Sequence, residues 1–165
     1  MKKIIFLILL LPTLLFSQDL SYLKLQDVSG NEFVFKNNLE NDATLVLFWA
    51  TWCLPCKKEF PAVQSVIEKY EKKNIKVIAI SQDSPRSMAK VKSFVKSHKY
   101  DFTYLLDPNG EISSKLLVNS VPYTMLLNKE GKVIYSHSGY RKGDENELEK
   151  ELQKYWKKLI AGDPE

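Results

Sequence analysis

Cys53 and Cys56 are the only two cysteines in a chain of 165 residues, and they lie three positions apart. Residues so spaced in a first helical turn share a face, so the two sulfurs can close a small ring. A thiolate with such a partner can attack a foreign disulfide and then be released by the second thiol. The flanking residues say where the pair sits. Residues 45–50 (LVLFWA) form a nearly all-apolar run, as expected of a strand covered on both faces. After Trp52-Cys53-Leu54-Pro55-Cys56 the pattern turns helical. The thiols therefore stand where a strand hands over to a helix N-terminus. Unpaired backbone N–H groups and the positive end of the helix dipole favour a thiolate there. Such placement lowers a thiol pKa from about 8.5 to between about 3.5 and 7.5. Cys53, exposed and first in the helix, is the expected nucleophile. Cys56, one turn deeper, is the expected resolving thiol. A purely structural staple is a poor alternative, because so short a ring removes little entropy from the unfolded chain.

Composition removes other chemistries. The net charge is +4, and the lysines are scattered and mostly matched by acids, so nothing argues for a nucleic-acid partner. A four-ligand zinc site would need His98 and His137, which lack the usual ligand spacing. Both histidines read as surface or packing residues. Neither a metal nor a cofactor is expected, since the two thiols carry the electrons themselves.

Taken in order, residues 1–17 read as a secretory signal, with Lys2 and Lys3 ahead of an apolar stretch broken by Pro12. That stretch is short for a spanning helix. Residues 18–165 are then a single domain outside the cytoplasm, with an uncleaved N-terminal anchor as the alternative. A dithiol there needs an outside electron supply to stay reduced. Residues 22–27 and 32–35 alternate around Ser29-Gly30-Asn31 and predict an edge hairpin. Residues 45–50 are the central strand, and residues 56–73 a helix with Phe60, Val63, Val66, Ile67 and Tyr70 on one face and a kink at Pro61. Residues 76–80 read as a buried parallel strand. Asp83-Ser84-Pro85 predicts a capped helix start, with the helix running to about Lys99. A strand at 102–106, a short helix at 111–117, a hairpin of 123–128 with 132–138 and a closing helix at 144–159 complete the chain. Strands alternating with helices imply an α/β fold: a mixed central sheet with helices on both faces.

The run Phe48-Trp49-Ala50-Thr51-Trp52-Cys53-Leu54-Pro55-Cys56-Lys57-Lys58-Glu59-Phe60-Pro61 resembles the active-site segment of thioredoxin-fold proteins, in particular the extracytoplasmic TlpA/ResA group. Val121-Pro122-Tyr123-Thr124 resembles that family's cis-proline loop. The resemblance extends from about Leu23 to Tyr155. It implies a thioredoxin fold with an N-terminal β-hairpin and a central helix–strand insertion over residues 85–106. It also implies that the bond before Pro122 is cis and that the Val121 backbone pairs with a substrate chain by strand addition. Trp52 would shape the contact surface, and Leu54 and Pro55 would make it apolar. Glu59, three residues after Cys56, can share its helical side. A buried carboxylate of raised pKa there can take the proton that Cys56 must lose. Classical thioredoxins carry a buried Asp six residues before the first cysteine, where this chain has Leu47. ResA-like proteins carry a glutamate in the C-K-K-E-F context that Glu59 occupies. The alternative for Glu59 is a solvated side chain in a charged run. A polar role for Gln82 and Asp83 near the site has no support at this level.

The resulting expectation is a thiol–disulfide oxidoreductase that reduces protein disulfides through a mixed disulfide. The resemblance implies cytochrome c maturation or general extracytoplasmic reduction, with electrons from a membrane thiol carrier; a monomer is expected. No histidine lies between the cysteines to favour an oxidant. A peroxiredoxin-like peroxidase would need a P-x-x-x-T-x-x-C context, and Cys53 lacks it. A non-catalytic thioredoxin-fold binding module would not need both cysteines and the V-P loop.

Overall fold

The computed structural model describes residues 20–161, so the expected leader at residues 1–17 lies outside them. Among the described residues seven strands form one sheet: β1 (Lys24–Asp27), β2 (Glu32–Val34), β3 (Ala43–Trp49), β4 (Ile75–Ser81), β5 (Thr103–Leu106), β6 (Tyr123–Leu127) and β7 (Val133–Ser138). Their order is β2-β1-β5-β4-β3-β6-β7. The β3–β4 and β4–β5 pairs are parallel and the others antiparallel, which makes the sheet mixed. The helices are α1 (Leu54–Glu68), α2 (Met88–Ser97), α3 (Glu111–Lys115) and α4 (Asp144–Ala161). Among the described residues no helix is long and apolar enough to cross a membrane.

All seven residues of β3 are buried, because alternate side chains feed two cores. Leu45, Leu47 and Trp49 pack with residues of α1, α2 and α4, including Phe60, Val91 and Leu152. Val46 and Phe48 pack on the other face with Ile112 and Leu116, and with Leu20, Leu23 and Phe35 from the N-terminal segment. Trp49 lies under α1, its ring 5.2 Å from Phe60 and 4.7 Å from Phe94. Phe60 also meets Phe102 at 5.4 Å and Tyr104 at 6.5 Å. Tilted and edge-to-face aromatic pairs of this kind add about 0.5–1.5 kcal/mol each beyond burial. They seat the inserted α2 and β5 against the helix that bears the cysteines.

Several boundaries differ from expectation. β3 starts at Ala43, which pairs with Ile75. α1 starts at Leu54 and ends at Glu68, five residues before the expected end at Lys73. The amides of Lys69, Tyr70 and Lys73 bond to carbonyls three residues back, a tightening that turns the chain into β4. α1 passes through Pro61 without ending. After Asp83 the chain makes a 3-10 turn at Pro85–Ser87, and α2 begins only at Met88. Neither Asp83 nor Ser84 caps it: Ser84 makes no capping hydrogen bond, and the Asp83 carboxylate is held by Thr51 and Ser81.

Candidate active site

Beyond Trp49 the chain turns, and the Cys53 amide donates to the Ala50 carbonyl at 3.0 Å. Cys53 is the N-cap of α1, with extended backbone angles, and its Sγ accepts from the Cys56 amide at 3.2 Å. The expectation placed Cys53 inside the helix. It stands one residue outside, where a side-chain acceptor satisfies an amide that lacks an intrahelical partner. Pro55 falls in the first turn, where a missing N–H is no loss. Cys53 and Cys56 are joined in a disulfide with a Cα–Cα separation of 5.4 Å. Cys56 is fully buried, and Cys53 is only 4% exposed, a correction to the expected exposed thiol. Its sulfur turns back under the first helical turn. Trp52, Leu54 and Pro55 are exposed around it and form an apolar rim.

The Val121–Pro122 bond is cis. Because Tyr123 pairs with Phe48 across antiparallel β6 and β3, Val121 and Pro122 lie beyond the end of β3, beside the turn that carries the cysteines. Pro122 is buried and Val121 half-buried, and the Pro122 carbonyl accepts from Gly139 at 2.8 Å.

Glu59 is 5% exposed, which overturns the solvated alternative. Thr124, two residues past Pro122, donates its hydroxyl to Glu59 Oε1 at 2.6 Å. Oε2 has no hydrogen-bond partner among the described residues. Burial pushes the Glu59 carboxyl up to about 7; the bond from Thr124 opposes this, and the charge of Asp144 adds to it. A single carboxyl group thus bridges the cysteine helix and the strand of the cis-proline loop.

The structure also gives roles to residues for which the sequence offered only a helix cap or a polar role without support. Asp83 is buried; it accepts from the Thr51 amide at 2.7 Å and from the hydroxyls of Thr51 and Ser81. It therefore ties the end of β4 to the turn before Cys53. The available signal was topological: in parallel neighbours the chain segments that follow both strands emerge at one edge. Gln82 donates to Ser113, whose hydroxyl and amide bond to Asp107. His98 stacks on Phe94 at 4.1 Å, a packing role. Two open grooves lie beside the start of α1. One, about 530 Å³, lies between Trp52 and Phe94, and the other, about 680 Å³, lies among Lys57, Lys58, Arg141 and Lys142. Among the described residues no group of three or more His, Cys, Asp or Glu side chains is placed to hold a metal ion.

The AhpC/TSA family model matches residues 17–136, which include both cysteines and Pro122. Thiol-disulfide oxidoreductase ResA from Bacillus thuringiensis subsp. konkukian is 32% identical over 133 residues, covering 81% of this chain and 72% of that protein. Sporulation thiol-disulfide oxidoreductase A from Bacillus subtilis is 28% identical over 110 residues, covering 66% of each. The solution structure of a thioredoxin-like protein from Porphyromonas gingivalis matches with a TM-score of 0.72 and 30% identity, over 84% of this chain and 92% of that one. With its thioredoxin-like fold and its paired Cys53 and Cys56, the chain belongs to the AhpC/TSA family as a thiol–disulfide oxidoreductase of the ResA type.

Proposed function

We propose that this oxidoreductase reduces disulfides of other proteins outside the cytoplasm, with Cys53 as nucleophile, Cys56 as resolving thiol and Glu59 as proton acceptor. The observation that carries the reading is the Cys53–Cys56 disulfide capping α1 inside an apolar rim. In the reduced protein the Cys53 thiolate attacks a substrate sulfur. The substrate disulfide breaks, one substrate thiolate leaves, and a mixed disulfide forms. Cys56 then gives its proton to Glu59 and attacks Cys53 Sγ. The second substrate thiolate leaves, and the two electrons of the dithiol have passed to the substrate. The disulfide seen here is the enzyme's product state. Trp52, Leu54 and Pro55 meet the apolar surface of the substrate, and the Val121 backbone pairs with its chain.

Leu54 and Pro55 put no histidine between the cysteines, which supports a reductant. The apolar, lysine-led residues 1–17 support export, with residues 18–165 as the exported domain, either released or held by that segment. Cytochrome c maturation is the proposed setting, with a membrane thiol carrier returning electrons to a monomeric enzyme. Insulin reduction with and without Cys53→Ser tests the core of the reading. The variant should lose turnover, and turnover unaffected by it would overturn the assignment. The AhpC/TSA match also brings in a peroxidase reading, which a peroxide-consumption assay on the reduced protein tests. A reporter enzyme active only after export, fused behind residues 1–17, tests the location.

A further inference from the structure

Glu59 is buried, yet in the proposed mechanism every dithiol oxidation delivers a proton from Cys56 through it to the solvent. Its unpartnered Oε2 belongs to a side chain that lines a narrow cavity of about 20 Å³. A space of that size accommodates one water, for which Glu59, Thr124 and His137 among the lining residues offer polar partners. His137 of β7, Tyr140 of the following loop and Asp144 at the start of α4 also line the cavity. His137 sits directly across from Thr124 in the β6–β7 register. Their side chains therefore share a face of the sheet, with Cβ atoms about 4.5–5.5 Å apart. Thr124 is the residue that holds Glu59. His137 Nε2 lies 3.3 Å from Asp144 Oδ2, and the two side chains are 38% and 32% exposed, so this pair reaches from the cavity to solvent.

We infer that the His137–Asp144 pair is the port through which Glu59 exchanges protons with solvent, by way of a water in the cavity. The S–H bond of Cys56 breaks as an O–H bond forms on Glu59. The proton then passes through the water to the His137 imidazole, and the imidazolium, stabilised by Asp144, releases it to bulk water. During reduction of the enzyme the same path runs inward. The ionisable groups around the cavity are Glu59 from α1, Tyr135 and His137 from β7, Tyr140 from the loop, and Asp144 and Glu145 from α4. Glu147 and Glu151 of α4 also act on Tyr135. Burial and neighbouring acids raise the Tyr135 phenol, and the Tyr140 phenol is pushed up to about 12 while it donates to Glu145 at 2.9 Å. Phenols so placed do not carry protons near neutrality. Imidazole, of all side chains, ordinarily does. His137 acts through Glu59 and touches no substrate.

This inference rests on Glu59 serving as the base for Cys56, so the test includes both residues. The full chain is reduced, mixed with an aromatic disulfide, and the resolving step is followed in single turnovers from about pH 5 to 9. Wild type, Glu59→Gln and His137→Gln are compared, with His137→Asn as the fallback should His137→Gln not fold. The His137 variant should leave the first attack unchanged and slow resolution about tenfold near neutrality, with its pH profile altered, and added imidazole should restore the rate. A slow Glu59→Gln with an unchanged His137 variant would overturn the port and spare the base. An unchanged Glu59→Gln would overturn both. A slow His137 variant with an unaltered pH profile and no rescue by imidazole would make the residue merely structural and sink the inference.

Discussion

Two buried carboxyl groups stand beside the cysteine turn, and they are built differently. Asp83 accepts from three protein donors, an amide and two hydroxyls, and lies at the end of a strand. Glu59 accepts from one, Thr124, and keeps Oε2 without a protein partner. Both are shielded from solvent, so burial alone does not separate them. The number of donors does. A carboxylate saturated with donors is a clamp, whereas one left short favours its neutral form and can take up and release a proton near neutrality. One fold can therefore place two similar groups next to the same disulfide, one held by three donors and one by a single donor, and the proposed proton transfer falls to the second.

Breaking the clamp should have the largest effect. Asp83→Ala strands the Thr51 amide and two hydroxyls, and should destabilise the oxidised protein by about 3 kcal/mol in urea denaturation. Asp83→Asn should recover part of this. A loss below about 1 kcal/mol would mean that water replaces the carboxylate and that the clamp reading is wrong. Removing the proton carrier should act on rate. Glu59→Gln should slow the resolving step about a hundredfold, with the fold intact and the Cys56 titration shifted.

The same substitution should move stability the other way from Asp83→Ala. The folded Glu59 carboxyl titrates at about 7 against an ordinary value of 4.5, so the native state holds a proton that the unfolded chain has lost between those pH values. Stability therefore falls as pH rises through that window, and the penalty persists above it. Glu59→Gln should be neutral near pH 4 and stabilising near pH 8 by at most about 3 kcal/mol, read from paired denaturation curves. Thr124→Val should have the smallest effect. It removes the one donor that favours the charged form, so the pH midpoint of the resolving step should move upward, for about 1 kcal/mol of interaction. A midpoint that moved downward would show that Thr124 does not hold the ionised carboxylate.

Much of this arrangement was legible in the chain itself. The apolar run of residues 45–50, which the strand follows as far as Trp49, the Cys53–Cys56 spacing and the hairpin turns depend on local chemistry, and local chemistry is written in consecutive residues; the V-P-Y-T loop was legible only through the family resemblance. The end of α1 at Glu68 was less legible, because it follows from where β4 must start, and apolar spacing continues past it to Tyr70. Likewise, Asp83 resembles a helix cap in sequence, and only the parallel pairing of β3 with β4 turns its carboxylate toward Thr51.

The residues by themselves determined that two thiols would meet at a helix mouth, since an N-cap residue and the residue three positions on come within bonding reach whatever surrounds them. Tertiary structure alone decided which charged groups would lose water and which donors they would find there. Glu59 meets Thr124 across 65 positions of sequence, and Thr124 meets His137 only through strand register. The free energy of a buried charge depends on those distant neighbours, which no local pattern encodes.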